Sequence, residues 1–465
     1  MTPHISELSE MTIIEDLAKI VGVKNVLTGE EVTQRSDCYL PVHAMEALCI
    51  VRPETTEQVS MIAAYCDRHG LTLVPQGGRT GLAGGAYTKP GDIALSLERM
   101  TAIAPVERSG LTVEVEAGAT LQAVQEAANA ADLLYPVDLG ARGSATIGGT
   151  IATNAGGNCV LRYGMTRDQV LGLEVVLADG TVLSSMNRLI KNNAGFDLKQ
   201  MFVGSEGTLG IITRAVLRLR PNAGLKATAF IGLSSFDAVL QLFALAAAAV
   251  DGALSSYEVM WPSFIDTVTT RGNHRSPLED SHAFYVLIEI ASHHADAMIN
   301  QAIASGWERG LIDDASIAQS IGQANAFWSI RDDIDTLCAG PDPLLLYDIS
   351  LPQIHMEKYV NDLQDNLHAY LKDAEMAVFG HVADGNLHLV IRPGEDGHHR
   401  AIDDLVYLPL QMVGGSVSAE HGIGLEKRSY LHCSRSGAEI DTMVRLKRAL
   451  DPRSTLNPGK VVPLQ

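Results

Sequence analysis

The sequence predicts an α+β protein built from two domains. A chain of 465 residues is longer than one hydrophobic core usually supports. Over residues 48–221 strand-like and helix-like runs alternate, and after Pro221 the pattern becomes that of a separate α+β unit with an antiparallel sheet. We therefore expect one domain over residues 1–222, a second over residues 223–400 and a C-terminal segment over residues 401–465.

Hydrophobic patterns and capping residues place the elements of both domains. In the first domain a helix begins after an N-cap at Thr55 or Thr56 and ends at Gly70. A second helix covers LQAVQEAANAADL, which starts at Leu121. The expected strands cover residues 71–75, 92–97, 112–117, 173–177, 227–233 and 284–290, and the expected helices of the second domain cover residues 236–250 and 294–309.

Composition limits the compartment and the class of partner. Six cysteines without CxxC or other metal-ligand spacing fit reduced thiols. A net charge of −20 argues against nucleic acid as a partner. The acidic N-terminal stretch lacks the basic start of a leader, and the most apolar run, residues 239–250, is too short to span a bilayer. A cytoplasmic protein without an integral membrane segment is therefore expected.

Two glycine-rich loops in the first domain have the composition of an anion-binding cradle. PQGGRTGLAGG, from Pro75 to Gly85, follows the apolar run LTLVP, and such a loop turns successive backbone N–H groups toward an anion. It lacks the Lys-Ser/Thr pair of a Walker A motif and the spacing of a Rossmann turn. GARGSATIGGTIATNAGGN, from Gly140 to Asn158, adds Ser, Thr and Asn donors. The two loops suit a cofactor that carries a pyrophosphate.

Two stretches near the C-terminus, GHVADGNLH and SAEHGIG, carry potential metal ligands. His381, His388 and Glu420 form a set of two nitrogens and one carboxylate, which can hold a divalent ion with positions left open for substrate. His421 follows Glu420 directly and can serve the same site as a base. Each residue taken alone is better explained as an ordinary buried histidine or surface acid, but the joint pattern favours a metal site.

The local structure around these ligands is also predicted. Residues 376–381 and 387–391 have the composition of two strands, and turn formers occupy residues 384–386, which puts both histidines at strand ends facing one loop. SVSAEHGIG is expected to be a strand that runs into a turn. Gly422 and Gly424 would let the backbone bend there, beside a bound group.

Together these motifs resemble a known family. The first glycine loop, TIGGTIATNAGG, RYG and FVGSEGTLGIIT are similar to the FAD-binding domain of the vanillyl-alcohol oxidase and cresol hydroxylase superfamily. GHxxDGNLH, SxEHGIGxEK and LDPRSTLNPGK narrow the resemblance to the FAD-linked D-2-hydroxy acid dehydrogenases, a branch with D-lactate dehydrogenase, the glycolate oxidase flavin subunit and D-2-hydroxyglutarate dehydrogenase. The resemblance, from about Asp37 to Gly459, implies a two-subdomain FAD-binding domain, an α+β substrate (cap) domain with an antiparallel sheet, and a C-terminal segment packed on the FAD domain.

The resemblance implies a noncovalent FAD and the residues that bind it. Some relatives tether the flavin to a histidine in the first loop, where this chain has Arg79. The implied cofactor-binding residues are Pro75, Gly77, Gly78, Arg79, Thr80, Gly81, Leu82, Thr146, Gly148, Gly149, Asn154, Gly156, Gly157, Glu206, Ile212 and Asn457.

The resemblance also implies the reaction, oxidation of a D-2-hydroxy acid to the 2-oxo acid. A divalent ion, expected to be zinc, would be held by His381, His388 and Glu420 and would lower the pKa of the substrate hydroxyl. His421 would bind substrate and take the hydroxyl proton while the α-hydrogen passes as hydride to flavin N5. A carbanion route stays open, as does the choice for Asn386 between a substrate contact and a turn cap.

Substrate choice depends on an arginine and on two departures from the family pattern. Arg331 matches an arginine that binds the substrate carboxylate, with a surface salt bridge to Asp332 or Asp335 as the alternative. Members that act on D-2-hydroxyglutarate carry a Thr and a Lys where this chain has Asp335 and Leu346. Because an unpaired buried charge is costly, loss of that cation favours D-lactate, or a longer aliphatic 2-hydroxy acid, over the dicarboxylate D-2-hydroxyglutarate.

Other functions are also considered. A zinc-dependent hydrolase would explain the histidines but would leave both glycine loops without a role, and an NAD-dependent enzyme would need a Rossmann fingerprint. A flavin-binding subunit of a larger complex, without independent activity, is a further alternative. The expected partners are a small 2-hydroxy acid and a separate electron acceptor, such as an electron-transfer flavoprotein, cytochrome or quinone, and the expected assembly is a homodimer.

Overall fold

The structure, a computed structural model, divides into two units. It describes residues 8–39, 44–222, 224–250, 252–340, 343–394 and 397–463. The first unit comprises Met1–Gly157, Gly164–Asn222 and Glu420–Gln465, and the second comprises Asn158–Tyr163 and Ala223–Ala419.

The unit boundaries differ from those expected from sequence at two places. Residues 401–419 belong to the second unit, where Tyr359 Oη donates to the carbonyl oxygen of Val406 at 2.7 Å. Residues 158–163 also belong to the second unit, although they interrupt the first in sequence. Arg162 of the RYG motif donates there to the carbonyl oxygen of Ala291 at 2.5 Å. Contacts distant in sequence, which composition does not reveal, decide both assignments.

The first unit contains two four-stranded sheets and one two-stranded sheet, with orders β1-β2-β4-β3, β5-β9-β7-β8 and β10-β6. In the first sheet β2, β4 and β3 are parallel, and the second sheet is antiparallel. The strands are β1 Val26–Leu27, β2 Cys49–Val51, β3 Leu73–Gln76, β4 Ile93–Ser96, β5 Thr112–Glu116, β6 Leu133–Leu134, β7 Val170–Val176, β8 Val182–Ser185, β9 Ile211–Arg218 and β10 Arg220–Pro221. The helices are α1 Glu10–Val21, α2 Glu30–Thr33, α3 Thr56–His69, α4 Leu121–Asn129, α5 Ile147–Thr153, α7 Thr166–Gln169, α8 Lys199–Phe202 and α17 Gly437–Leu450.

The predicted helix after Thr55 shows how local sequence defines an element. Thr55 is the N-cap of α3, and its hydroxyl accepts a hydrogen bond from the N–H of Gln58 at 3.3 Å. Gly70 ends the helix with φ of +65°, a left-handed conformation that favours glycine. Val59, Ile62 and neighbouring apolar side chains bury one face of α3. Both predicted ends of this helix are confirmed.

The second unit is built on a seven-stranded sheet of order β14-β11-β13-β12-β16-β17-β15. Every strand pair in it is antiparallel, which confirms the predicted antiparallel sheet. The strands are β11 Lys226–Leu233, β12 Leu254–Met260, β13 Phe284–Ala291, β14 Asp314–Ile317, β15 Leu345–Ser350, β16 Glu375–Gly380 and β17 Asn386–Arg392. The helices are α6 Val160–Tyr163, α9 Phe236–Ala249, α10 Pro262–Thr270, α11 Ala295–Glu308, α12 Ile321–Arg331, α13 Ile334–Cys338, α14 Gln353–Tyr370, α15 His399–Tyr407 and α16 Leu410–Val413.

Strand β12 is one of the elements of the second unit that the sequence prediction missed. All seven of its residues are buried, so LSSYEVM lacks the alternation of a half-exposed strand. Its interior position between β13 and β16 explains that burial. Among the described residues, no helix has the length and apolar character needed to cross a membrane.

Strand pairing places several polar side chains on one face of this sheet. Asp348 on β15 pairs with His388 on β17, and His388 pairs with Phe379 on β16. Phe379 in turn pairs with Met260 on β12. Because alternate strand residues share a face, Glu258 lies on the same face as Met260. This register determines the geometry described below.

Candidate functional site

The first glycine loop presents a row of backbone donors. It follows the edge strand β3, and within the described part of the chain the N–H groups of residues 77–82 donate to no acceptor. A Cβ on Gly77 would lie 2.4 Å from Thr146 Oγ1, and one on Gly78 would lie 1.9 Å from the carbonyl oxygen of Ser144. Glycine is therefore required for the close approach of the two loops. Successive N–H groups in such a loop form an anion-binding concavity, so the residues fit a pyrophosphate.

The other predicted residues of this loop surround that row of donors. Pro75 lies in β3. Arg79 has φ of +54°, and its Nε donates to the carbonyl oxygen of Ser36 at 2.9 Å. Desolvation lowers the pKa of the Arg79 guanidinium. Thr80 and Leu82 are half-buried and Gly81 is exposed. The Arg79 side chain thus anchors the loop.

The second glycine loop leads into the short helix α5. Thr146 is its N-cap, and Thr146 Oγ1 accepts a hydrogen bond from the N–H of Gly149 at 3.4 Å. Gly148 packs against Ala117, the residue that follows strand β5. A Cβ added to Gly148 would lie 2.7 Å from the Cβ of Ala117. The close packing explains a small residue at position 148, and the N-cap bond explains a hydroxyl at position 146. Neither explanation requires a ligand.

The residues that follow α5 are held by backbone and side-chain contacts. Asn154 ends the helix with φ of +52°, and its Oδ1 accepts from the N–H of Arg167 at 2.9 Å. Gly156 and Gly157 are buried. A Cβ on Gly157 would lie 1.9 Å from the carbonyl oxygen of Asp138, and φ at Gly157 is +95°. Only glycine fits at that position.

Glu206 and Asn457 tie the C-terminal part of the first unit to the first loop. The two carboxylate oxygens of Glu206 accept from the N–H groups of Ile423 and Gly424, at 2.7 and 2.9 Å. Burial raises the pKa of Glu206 against the opposing effect of these two bonds. Asn457 Nδ2 donates to the carbonyl oxygens of Gly85 and Glu206, at 3.0 and 2.8 Å. Both residues therefore fasten chain segments together.

A buried lysine that the sequence reasoning missed completes this network. Lys460 Nζ donates to Asn457 Oδ1 and to the carbonyl oxygen of Tyr87, each at 2.6 Å. Desolvation lowers the pKa of Lys460 to about 8. The NPGK sequence was the available signal, because it puts the lysine three residues after the asparagine. Ile212, by contrast, lies in strand β9 within the apolar core.

Glu420 and His421 lie in the first unit, in a segment that forms no strand. The predicted strand in SVSAEHGIG is wrong. Ser416 forms an isolated bridge with Ser350, but the N–H of Ser418 donates to Ser416 Oγ at 3.3 Å and the N–H of Ala419 donates to the Asp348 carboxylate at 3.1 Å. Glu420 Oε1 accepts from the N–H of Gly157 at 2.6 Å. His421 is half-buried.

The predicted turn after Glu420 is confirmed. Gly422 has φ of +82° and Gly424 has φ of +51°. A Cβ on Gly424 would lie 1.8 Å from the carbonyl oxygen of Ala83, so this glycine permits a close approach to the first loop.

The two predicted histidine ligands lie in the second unit. His381 immediately follows β16, as expected, and leads into a 3₁₀ turn, Val382–Asp384. The expectation that His388 is at a strand end is wrong, because β17 begins at Asn386 and its pairing with β15 extends past the histidine. The centroids of the two imidazole rings are 5.4 Å apart, with an angle of 81° between the ring planes.

Glu258 on β12 contacts both His381 and Arg331, and sequence reasoning missed it. Its Oε1 is 2.7 Å from His381 Nδ1, and its Oε2 accepts from Arg331 Nε at 2.9 Å. Burial alone would raise the pKa of Glu258, but the charges of His381 and Arg331 outweigh that effect and lower it to about 2. A single acid within a fully buried strand was the available signal, since buried charges need partners.

Asp348 and Asn386 form a second buried polar group beside His388. Asp348 Oδ1 accepts from Asn386 Nδ2 at 2.8 Å and lies 3.8 Å from His388 Nδ1. Asn386 Nδ2 also donates to the carbonyl oxygen of Ile349 at 2.9 Å. Asn386 is the first residue of β17. Its side-chain amide therefore binds β15 instead of capping the turn. Its buried Oδ1 has no hydrogen-bond partner among the described residues.

Arg331 ends helix α12 inside the second unit. Its exposed fraction is 6%, and it forms the ion pair with Asp332 that was considered as the alternative to a substrate role. Arg331 Nη1 lies 3.4 Å from Asp332, and its Nη2 lies 3.4 Å from His381 Nε2. The guanidinium carbon lies 5.0 Å from the ring centroid of Phe379. Arg331 is thereby held beside a predicted metal ligand.

Both histidines have a buried carboxylate beside Nδ1, at hydrogen-bond distance for His381 and at 3.8 Å for His388. A ligating imidazole commonly donates its second ring N–H to a carboxylate, which directs the other nitrogen toward the ion. Nδ1 of His381 is bonded to Glu258, and Nδ1 of His388 faces Asp348. The imidazole and carboxylate donors of the predicted set suit zinc.

Comparison with known proteins identifies the family. A model of the C-terminal domain of FAD-linked oxidases matches residues 224–461, and a model of an FAD-binding domain matches residues 47–185. D-2-hydroxyglutarate dehydrogenase of Xanthomonas citri pv. viticola is 39% identical over 423 residues, which cover 89% of each chain. This chain belongs to the family of FAD-linked D-2-hydroxy acid dehydrogenases. Mitochondrial D-2-hydroxyglutarate dehydrogenase of Danio rerio is 37% identical to this chain, and the match covers 89% of this chain and 78% of the relative.

Solved structures share the fold at low identity. p-Cresol methylhydroxylase with substrate bound has a TM-score of 0.79 and 17% identity, covering 97% of this chain and 96% of that chain. 4-Ethylphenol oxidase from Gulosibacter chungangensis has a TM-score of 0.77 and 18% identity, covering 98% of both chains. At such identities the likeness concerns the fold alone. It confirms the predicted fold of the vanillyl-alcohol oxidase type.

Proposed function

We propose that this chain oxidises a D-2-hydroxy acid to the 2-oxo acid with noncovalent FAD and a divalent metal ion. The observation that carries the proposal is the contact of His381 Nδ1 with the buried Glu258 carboxylate at 2.7 Å, an arrangement typical of metal ligands, with His388 Nδ1 3.8 Å from the buried Asp348 carboxylate. The row of N–H donors at residues 77–82 and the family membership support the flavin part. FAD, when bound, accepts the hydride from the α-carbon of the substrate.

The proposed metal ligands are His381, His388 and Glu420, and the proposed ion is zinc. The ion, when bound, stabilises the negative charge that develops on the substrate hydroxyl. The bond from the Gly157 N–H restrains the Glu420 carboxylate, which supports its role as a ligand. Arg331 would bind the carboxylate of the substrate through its guanidinium.

His421 is the proposed base. A neutral imidazole is suited to accept the hydroxyl proton near neutral pH. The backbone just after His421 is restrained by the bonds from Ile423 and Gly424 to Glu206, which supports a positioned side chain.

A monocarboxylate such as D-lactate, or a longer aliphatic 2-hydroxy acid, is the proposed substrate. Leu346 pairs with Val390 on the sheet face that also carries Phe379, and all three belong to or pack against one apolar cluster. Asp335 is exposed. Neither residue 335 nor residue 346 offers a cation to a second carboxylate, which supports an aliphatic substrate side chain.

D-2-hydroxyglutarate is the second candidate substrate, favoured by the names of the relatives that are 33–39% identical to this chain. The proposed electron acceptor is a separate electron-transfer flavoprotein, cytochrome or quinone, and the proposed assembly is a homodimer. A flavin subunit of a larger complex is the alternative. A cytoplasmic location is proposed as well, and six free cysteines support it.

Flavin bleaching under anaerobic conditions tests the reaction and the substrate. We expect D-lactate or a longer D-2-hydroxy monocarboxylate to bleach the flavin with a higher kcat/KM than D-2-hydroxyglutarate, and the L-enantiomers to be inactive. Leu346→Lys together with Asp335→Thr should shift the ratio toward the dicarboxylate by roughly tenfold to a hundredfold. A native preference for D-2-hydroxyglutarate would overturn the monocarboxylate proposal, and no bleaching by any 2-hydroxy acid would overturn the reaction itself.

Removal of one ligand tests the metal. His388→Ala should lose bound zinc and turnover while FAD stays bound, because two donors hold the ion poorly. His274→Ala is the matched control, since His274 also pairs with a carboxylate of the second unit, Asp333, at 2.9 Å. Zinc content by atomic absorption and flavin reduction by stopped flow are the measurements. Full activity in His388→Ala, or in chelator-treated native protein, contradicts the metal proposal.

A further inference from the structure

Glu258 is a buried acid with two strong partners on different elements. Its exposed fraction is 1%, and it lies on β12, between β13 and β16. One carboxylate oxygen contacts His381 Nδ1 at 2.7 Å and the other contacts Arg331 Nε at 2.9 Å. Arg331 Nη2 lies 3.4 Å from His381 Nε2, so the three side chains form a closed group.

The apolar side chains around Glu258 do not explain why a charged residue occupies this position. Met260, Phe379 and Leu287 lie on the same side of the sheet and belong to one apolar cluster. Apolar residues of similar volume would stabilise such a core as well as a buried ion pair does. A carboxylate at this position therefore points to a role in orienting its partners.

The geometry defines what each partner gains. A carboxylate accepts hydrogen bonds only, so His381 must carry its proton on Nδ1 to bond with it, and in the neutral ring Nε2 is then the basic nitrogen. Arg331 uses Nε for Glu258, and this fixes the plane in which its two terminal nitrogens are presented.

We propose that Glu258 is a positioning residue that holds His381 as the Nδ1–H tautomer for the metal ion and, with its other oxygen, orients Arg331 toward the substrate carboxylate. This inference rests on the proposed function. It means that one side chain sets both metal affinity and substrate affinity. A change at Glu258 should therefore weaken both together, without a direct contact to either ligand.

Glu258→Gln is the informative variant because it replaces one of the two accepting oxygens with an NH₂ donor, so one of the two partners loses its acceptor. In FAD-loaded protein stripped of metal, we expect Zn²⁺ affinity, measured by competition with a chromogenic chelator, to fall roughly 10- to 100-fold. The KM for D-lactate should rise in the same variant. Unchanged Zn²⁺ affinity and unchanged KM in folded Glu258→Gln protein would overturn the proposal.

Glu289→Gln is the matched control. Glu289 is buried on the neighbouring strand β13 and also has partners on other elements: it accepts from Ser255 Oγ and Trp328 Nε1, each at 3.1 Å, and pairs with Lys226 at 2.9 Å. This variant removes an equally buried carboxylate from the same sheet. It should bind Zn²⁺ as the native protein does. An equal loss of Zn²⁺ affinity in both variants would show a merely structural role and overturn the proposal.

A measurement on the native protein covers the case in which Glu258→Gln does not fold. In ¹⁵N-histidine-labelled, metal-free protein, the His381 resonance should show the Nδ1–H tautomer, and the Nε2–H tautomer would overturn the proposal. Zn²⁺ binding by the native chain is measured first. Its absence would overturn the proposed metal function, whereas normal native binding that Glu258→Gln leaves intact would overturn only the positioning role.

Discussion

At the residue scale, buried carboxylates and glycines carry the chemistry that the two units offer. Glu258 and Asp348 each face a histidine, and Glu206 accepts from two backbone N–H groups. The partners of Glu258 outweigh its loss of hydration, whereas those of Glu206 oppose that loss only in part. The energetic consequence is clearest for Glu258, whose native pKa of about 2 lies below the ordinary value of 4.5.

The first prediction concerns acid stability. The unfolded chain takes up a proton at Glu258 near pH 4.5, but the native chain does so only near pH 2, so the stabilisation is complete above pH 4.5 and is lost as pH falls toward 2. The difference in free energy of unfolding between native protein and Glu258→Gln should thus shrink by about 2 kcal/mol between pH 7 and pH 3. Urea titrations at several pH values measure it. A difference that does not change with pH contradicts the prediction.

A second prediction concerns the close approach of the two glycine loops. Gly78→Ala should lower the free energy of unfolding of flavin-free protein by about 1–3 kcal/mol, because its Cβ would meet the carbonyl oxygen of Ser144 at 1.9 Å. Gly81→Ala is the control from the same loop, since a Cβ there meets no atom within 4 Å. It should change stability by less than about 0.5 kcal/mol. Equal denaturation midpoints for the two variants would count against this account.

At the element scale, the C-terminal part of the first unit is attached to β3 by an isolated backbone bridge and to the first glycine loop by side-chain and backbone hydrogen bonds. Leu456 forms an isolated bridge with Leu73 on β3. Asn457 bonds to Gly85 and Glu206, and Lys460 bonds to Tyr87. Loss of one of these bonds should loosen the loop whose N–H groups are proposed to hold FAD.

The third prediction tests this attachment. Asn457→Gly keeps the backbone freedom that φ of +45° requires but removes the amide, so stability should fall by about 1–3 kcal/mol and FAD should bind more weakly. Ser454→Gly is the matched control, because Ser454 also has a positive φ, +55°, and should be neutral or slightly stabilising. Flavin fluorescence and urea titration measure the two effects. Tight FAD binding in Asn457→Gly would contradict the role of the attachment.

At the scale of the whole molecule, the chain contains separate cores. Ile62 belongs to a large apolar cluster within the first unit, and Phe264 belongs to a cluster within the second. Units with their own cores can unfold as separate cooperative transitions. A ligand that binds native residues of one unit raises the stability of that unit by mass action.

The fourth prediction is that calorimetry resolves two transitions. FAD at a hundred times its Kd should stabilise the first unit by about 2.7 kcal/mol and raise one transition more than the other. Ile62→Val should lower the transition that FAD raises, and Phe264→Leu should lower the other one, which assigns each transition to a unit. A single transition that responds equally to FAD and to both substitutions would exclude separate unfolding.

Local patterns in the sequence determined several elements and the family. The N-cap at Thr55 and the C-cap at Gly70 mark the two ends of the fourteen-residue helix α3. The glycine loops and the HGIG turn were recognisable because tight turns and close backbone approach require glycine. The motifs that carry the resemblance lie within short stretches, so the family could be recognised from them before any contact was known. These features depend on neighbours a few residues apart.

Tertiary structure decided the partners of the site residues and the true limits of the units. Glu258 is 123 positions from His381 and 73 from Arg331, and only the pairing of β12 with β16 and the packing of α12 bring them together. The same kind of long-range contact assigns residues 158–163 to the second unit and places His388 within a strand. Short-range patterns report burial and turns, but they do not encode which distant groups meet, because sheet register and helix packing set those contacts.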